Sequence, residues 1–367
     1  MVFVLLVTEK HARNIWNVYF DCFVMINKNR FQVCILCMTY NQSVYITDAL
    51  NGFAMQQTNF PFVAVVIDDA STDGEQDVIK AFVDEHFDHS EESGYWEWET
   101  DDACWTFAQN KGNKNCHFVA VYLKRNLFKE PEKKELLVKD WMQSKYIALC
   151  EGDDYWTDSL KLQKQISFLE SHPDFSMCFH GAEVRVENNP GSEQKNGTNY
   201  SKIEDREYES TEFVSSWLVP TASIVYRPEN VNQFKVKHPE RVAFGDIVLV
   251  LKCSHTGKVF GMSDMMSVYR IQPNSITNNP QSVDSLIYKL PDHYRCLREN
   301  FPKVEKGPLE WSISHYYYVR MKKQRNIVLK ARDFLMFIWW NPRIATHKMK
   351  SVLQRRFRFG SKKSEIE

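Results

Sequence analysis

The chain has 367 residues, a formal net charge of −1, 43% apolar residues and 25% charged residues. This is an ordinary globular composition, long enough for one large core or two modest ones. A near-neutral chain offers no global field for nucleic acid, and no run of about twenty apolar residues is present to span a bilayer. The charge is uneven along the chain. Residues 84–102 hold nine Asp/Glu and no Lys or Arg, whereas 320–367 hold fourteen Lys/Arg against three Asp/Glu. Nine cysteines, without the clustering of a zinc site, read as buried thiols in a reducing compartment. Cys34 and Cys37 have C-x-x-C spacing, but in a strand they point to opposite faces.

Met1–Val7 is apolar, yet Glu9, Lys10 and Arg13 follow at once, so it does not read as a signal peptide. Residues 1–29 read either as an extension outside the fold or as a misassigned start. Phe31–Met38 predicts a first strand, followed by a helix over Val44–Met55. Phe62–Ile67 predicts a second strand and Gln76–Phe87 a second helix. Strand–helix–strand–helix order argues for a parallel sheet with right-handed crossovers. Residues 88–115, acidic and carrying Tyr95, Trp96, Trp98 and Trp105, read as a long insertion loop. Phe118–Leu123 resumes the strand pattern, 132–143 looks helical, and Tyr146–Cys150 is a short buried strand. Further along, Leu160–Leu169 predicts a helix, Phe175–Val186 a strand and 187–202 a polar loop. Thr211–Leu218 predicts a helix, Thr221–Tyr226 a strand and Ile247–His255 a helix. Val259–Met262 and Met265–Tyr269 predict two short strands. Beyond about residue 283 the chain reads as helical and basic.

The strand ends carry the chemistry. Tyr146–Cys150 stops in Glu151-Gly152-Asp153-Asp154, three carboxylates within four residues. In open α/β sheets, ligands bind at the carboxyl ends of strands. Carboxylates this close repel one another unless a cation lies among them, and hard oxygen ligands suit Mg²⁺ or Mn²⁺, which also hold a diphosphate. The competing reading is a solvated acidic turn leading into a helix capped by Asp158 or Ser159.

Four elements in order, Thr39-Tyr40-Asn41, Asp68-Asp69-Ala70-Ser71-Thr72-Asp73, Glu151-Gly152-Asp153-Asp154 and Gly245-Asp246, resemble those of inverting family-2 glycosyltransferases. The resemblance covers roughly residues 31–277, and the segment Cys150–Leu169 is similar to enzymes that build bacterial surface polysaccharides. It implies a GT-A fold, a Rossmann-like, mainly parallel sheet flanked by helices. It implies a nucleoside-diphosphate-sugar donor, a UDP-sugar favoured, and a glycan or lipid-linked glycan acceptor. Thr39, Tyr40 and Asn41 would lie beside base and ribose. Asp69, supported by Asp68, would accept the imino N–H of a uracil-type base. Asp154 would ligate a divalent cation, Mn²⁺ or Mg²⁺, while Asp153 would touch either the ribose or a metal-bound water. Asp246, entering a helix after Phe244-Gly245, would be the general base that inversion requires. Its other reading is a carboxylate favoured by the helix dipole.

Two departures from the family pattern stand out. After Tyr269-Arg270, where the family often carries a histidine, this chain has Gln272, which can hydrogen-bond a phosphate but is a poor metal ligand. Arg270 has two readings, a diphosphate contact or a structural ion-pair partner. Secondly, the residues after Asn126 lack the small-residue, Arg-Asn-containing helix common in the family, so sugar-nucleotide contacts from that region are not carried over. No Q-x-x-R-W motif follows Asp246, which argues against a processive polymerase.

The expected organisation is an extension over 1–29, a GT-A domain over 30–282 and a helical basic region over 283–367. Within the last, residues 331–358 set an aromatic cluster beside Lys and Arg. This suits peripheral contact with an anionic membrane, on the cytoplasmic side; its alternative is a helix packed on the catalytic domain with solvated charges. Two rivals to a transferase are weaker. A nucleotidyltransferase would want a Gly-rich phosphate loop near the first strand, and a non-catalytic nucleotide-sugar or glycan-binding protein would be expected to lose Asp246 or the Asp153-Asp154 pair.

Overall fold

A computed structural model describes residues 31–187, 199–272 and 280–343, together with residue 346. The expected N-terminal extension and most of the basic tail beyond 343 lie outside these residues. In chain order, Val33–Thr39 forms β1, Ile46–Ala54 α1, Phe62–Asp68 β2 and Glu75–His86 α2. Then come β3 (Phe87–Asp88), β4 (Trp96–Glu99), β5 (Ala103–Asn110) and β6 (Cys116–Leu123). They are followed by α3 (Pro131–Val138), β7 (Tyr146–Leu149), β8 (Tyr155–Trp156), α4 (Lys161–Ser171) and β9 (Phe175–Val186). Next are β10 (Arg206–Glu207), α5 (Ser210–Ser215), β11 (Val225–Tyr226), α6 (Pro228–Asn232) and α7 (Gly245–Thr256). The last are β12 (Lys258–Ile271), α8 (Pro280–Asn300), α9 (Lys306–Lys323) and α10 (Ile327–Trp340).

The strands form one mixed sheet in the order β10-β12-β9-β11-β7-β1-β2-β6-β5-β3, with β4 on β5 and β8 on β12. Its centre is parallel: β1 pairs with β2 and β7, and β2 with β6. Every residue of β2 and β6 is buried, which is why these strands read as unbroken apolar runs rather than as an alternation. The sheet core joins Ile35, Val66 and Phe118 to Phe53 of α1 and Phe82 of α2.

Three expectations are corrected. Residues 88–115 are not a loop, because β4 and β5 pair antiparallel and extend the sheet from β6. Within β4, Trp96 and Trp98 are half-buried while Glu97 and Glu99 are exposed, the period-two pattern of a strand with one covered face. Trp96 stacks on Phe107 at 5.8 Å. The two short strands expected over 259–269 are one strand, β12, whose register against β9 shifts between Met262 and Met265. The strand expected over 221–226 is a single 3₁₀ turn, Thr221–Ser223, running into two-residue β11.

The described residues divide into two compact units. The first lies within Met1–Tyr208, Leu218–Gln233 and Thr256–Ile271 and holds the sheet. The second lies within Glu209–Trp217, Phe234–His255 and Gln272–Glu367. Its core packs Val214 of α5 and Ile247, Val248 and Leu251 of α7 with Leu297, Phe301 and Leu309. Residues 209–217 and 234–255, assigned to the GT-A domain on sequence, therefore cluster with the C-terminal helices. Among the described residues no helix is long and apolar enough to cross a membrane.

Candidate active site

Parallel pairing sets Thr39 opposite Asp68 and Leu36 opposite Leu149. The carboxyl ends of β2, β1 and β7 thus open side by side. Backbone bonds continue past the strands: Asp69 N donates to Thr39 O at 3.0 Å, and Gly152 N to Met38 O at 3.2 Å. The loop after β7 passes directly over the end of β1. A Cβ on Gly152 would lie 2.6 Å from both Gln42 Oε1 and Thr39 Cβ, so this approach requires glycine.

Asp154 follows two residues later and is 1% exposed. Its Oδ1 accepts the backbone N–H of Arg270 at 2.8 Å, while its Oδ2 is buried with no hydrogen-bond partner. Burial, and then the charge of Asp153, push the Asp154 carboxyl well above the ordinary carboxylate range. Asp153 is half-buried, and burial raises its carboxyl too. Among the described residues no group of three or more His, Cys, Asp or Glu side chains gathers to hold a metal by itself. A magnesium-type ion needs only one or two carboxylates when substrate phosphates and water complete its shell, and the hard oxygens of Asp153 and Asp154 fit that requirement. An unpartnered buried carboxylate oxygen is a group that a cation would satisfy.

Arg270 is engaged within the protein. It is 5% exposed. Its Nε donates to Glu187 at 3.0 Å and its Nη1 to the Asp153 carbonyl at 2.8 Å, while Nη2 pairs with Asp48. The guanidinium also lies over Tyr155 at 4.4 Å. With backbone and side chain both engaged on 153–154, it holds the acidic loop in place.

The ends of β1 and β2 interlock. Asn41 adopts a left-handed φ of 54°. Its N–H donates to Ser71 Oγ at 2.9 Å, and its Oδ1 accepts from Thr72 N at 2.8 Å. Tyr40 is 46% exposed, so its ring is open to a ligand. Asp68 is fully buried; its Oδ1 accepts from Ser71 N at 3.0 Å and Gln76 Nε2 at 2.6 Å, and its Oδ2 is unpartnered. Asp69 pins the next segment instead: its Oδ1 accepts from Leu127 N at 2.6 Å and its Oδ2 pairs with Lys134 at 2.9 Å.

Sequence reasoning missed Glu75. It is fully buried at the start of α2, and it accepts from Gln42 N at 2.9 Å, from Ser71 Oγ at 2.8 Å and from Thr39 Oγ1. It ties both loops to one carboxylate, and burial raises its carboxyl. The available signal was an acid directly after Gly74 at a helix N-terminus, which alone reads as a dipole partner. Lys161 was also missed. It is fully buried, its Nζ lies 3.8 Å from the Trp156 ring centroid and donates to Gln165 Oε1 at 2.8 Å, and burial lowers its ammonium to about 7.

Asp246 and Gln272 belong to the second unit. Asp246 is half-buried in the first turn of α7, its Oδ1 accepting from Ile247 N at 2.8 Å, and burial raises its carboxyl. Gln272 follows β12 directly and is half-buried.

The mainly parallel sheet flanked by helices has the GT-A-type fold of solved glycosyltransferase structures. TarS of S. aureus, residues 1–349 in complex with UDP-GlcNAc, superposes with a TM-score of 0.53 at 15% identity, covering 84% of this chain and 81% of that one. A longer TarS structure gives 0.51 at 15% identity, covering 86% of this chain and 50% of that one. No family model matches the chain. In sequence it is 29% identical over 242 residues to the uncharacterized proteins Rv1520 of Mycobacterium tuberculosis and Mb1547 of Mycobacterium bovis. The match spans 66% of this chain and 59% of those relatives.

Proposed function

We propose that this protein transfers a sugar from a nucleoside-diphosphate-sugar donor, a UDP-sugar favoured, to a hydroxyl of a glycan or lipid-linked glycan, with inversion. The setting we propose is surface-polysaccharide synthesis at the cytoplasmic face of the membrane. The observation that carries the reading is Asp154: a carboxylate in a parallel sheet's ligand-binding crevice, buried, with one oxygen locked by Arg270 and the other without a partner. The neighbouring fold of TarS, crystallised with UDP-GlcNAc, supports this donor class.

Asp154, with Asp153 beside it, would hold Mn²⁺ or Mg²⁺. Such an ion, when bound, neutralises charge developing on the leaving diphosphate. Tyr40, with Thr39 and Asn41 behind it, would lie along base and ribose. Asp68 is the better base-reading carboxylate, since Asp69 spends both oxygens on Leu127 and Lys134. Arg270 positions the acidic loop, and Gln272 would donate to a phosphate oxygen. Asp246 would take the proton of the acceptor hydroxyl as that oxygen bonds to the anomeric carbon. The bond from that carbon to the diphosphate breaks on the opposite face, and its electron pair leaves with the nucleoside diphosphate. A carboxyl raised by burial is better matched to general-base work near neutral pH than a solvated one.

The test is a thermal-shift panel of UDP, GDP, dTDP and CMP, each with and without Mn²⁺ or Mg²⁺. A metal-dependent shift with one nucleoside diphosphate, absent in Asp154→Ala, is the expected result. No shift with any nucleotide would overturn the donor assignment.

A further inference from the structure

The last described helix carries apolar side chains on both its faces. The Asn326 side chain caps α10, accepting from Val328 N at 3.0 Å and Leu329 N at 3.2 Å. Its inward face carries a charge: Asp333 is fully buried and binds Arg320 of α9 through Nε at 2.8 Å and Nη2 at 2.6 Å. Ser314 Oγ adds a bond to the Phe337 carbonyl at 2.9 Å. This bidentate pair fixes the rotation of α10 about its own axis. Phe334, Ile338 and Trp340 turn toward the core around Phe337.

The outward face is apolar. Val328 is 71% exposed, Leu335 66% and Trp339 78%, with Ile327 beside them at 75%. Val328, Arg332, Leu335 and Trp339 follow at spacings of four, three and four residues, so they form one stripe along the helix. A helix that buries its acid and shows water a tryptophan and three aliphatic side chains has a face built for something other than water.

The charge around the stripe says what covers it. From Arg320 to Arg343 the sequence holds seven basic residues and a single acid, the buried Asp333. Arg332 lies in the stripe, while Lys323, Arg325 and Arg343 are exposed near its ends. The sequence continues with Lys348, Lys350, Arg355, Arg356 and Arg358, whose placement lies outside the described residues. Lys323 pairs with the exposed Asp284, but α10 itself shows no exposed acid. An apolar stripe with an aromatic side chain, flanked by Arg325, Arg332 and Arg343, complements an anionic lipid surface.

We propose that the outer stripe of α10 seats on an anionic bilayer, with Leu335 and Trp339 in the headgroup–acyl boundary and the flanking cations on lipid phosphates. This surface is independent of the donor site, so either assignment can fail without the other. The test is flotation of the full chain with vesicles of phosphatidylcholine alone and of phosphatidylcholine mixed with phosphatidylglycerol. The protein is expected to float with the anionic vesicles only, and less so as salt rises. Trp339→Glu and Leu335→Glu should each lower the bound fraction roughly tenfold. Both positions are exposed, so thermal stability and the nucleotide-dependent shift should stay as in the parent. Equal flotation with neutral vesicles would overturn the proposal, as would variants that float like the parent. A parent that does not float, but whose oligomer dissociates on Trp339→Glu, would show that a second copy covers the stripe.

Discussion

Replacing Asp154 with asparagine should stabilise the ligand-free protein while abolishing metal-dependent donor binding. The side chain is 1% exposed, one oxygen is satisfied by Arg270 N, and the other has no partner. Its carboxyl is raised, so the folded state holds the proton to higher pH than the unfolded chain does. Its favourable contribution is therefore complete below the ordinary carboxylate range and is lost as pH rises through the folded value. Above the ordinary carboxylate range the side chain therefore opposes folding. Asparagine keeps the acceptor for Arg270 N and removes the charge. The gain comes from the charge alone, because the asparagine amide nitrogen stays buried without a partner where Oδ2 lies. For a chain of this size each kcal/mol gained raises the melting temperature by roughly 2 °C. Calorimetry at neutral pH should show the gain, and calorimetry at about pH 4 should show it shrinking. The parent, with ligand at about a hundred times its Kd, should gain about 2.7 kcal/mol, and the variant should gain none. A variant less stable than its parent at neutral pH, or one that keeps the full metal-dependent shift, would refute the reasoning.

Asp246→Asn should lower turnover about 10²–10⁴-fold while leaving the nucleotide-dependent thermal shift intact, which steady-state kinetics beside thermal shift would show. Gly152→Ala forces a Cβ against Thr39 and Gln42, and should cost about 1–3 kcal/mol in denaturant unfolding and weaken donor binding with it. Lys161 has its pKa lowered from 10.5 to about 7, so the unfolded chain binds the proton more tightly, and this residue makes stability rise with pH between those values. Lys161→Met should flatten that rise when urea midpoints are compared across the same window.

Much of the sheet was legible because its signals are local. β1, β2, β6 and β7 are short apolar runs closed by polar residues, and burial on both faces makes such runs unmistakable in length and composition. β4 was hidden by its own charge: Trp96-Glu97-Trp98-Glu99 alternates as a strand should, but within a stretch of nine acids its composition reads as a loop. The division into two units was not legible, since the periodicity of α5 and α7 shows an apolar face without saying which partner covers it. The aromatic cluster of α10 was visible as a cluster. Which members face outward depends on Arg320 meeting Asp333 from another helix, a contact with no local signature.

The candidate site divides along the same line. Charge density at the strand ends pointed to these loops, but it could not rank the carboxylates within them. Ranking depends on which oxygens the fold has already used. Asp69 has spent both on Leu127 and Lys134, and Glu75 is consumed in holding the two loops together. Asp68 and Asp154 each keep one buried oxygen without a partner, one at the end of β2 and one just beyond β7. Leaving two such oxygens desolvated costs stability in the ligand-free protein. Under the proposed function, a ligand bringing a donor N–H to one and a cation to the other would meet groups already stripped of water and held in position, so less of its binding energy would go into ordering the site.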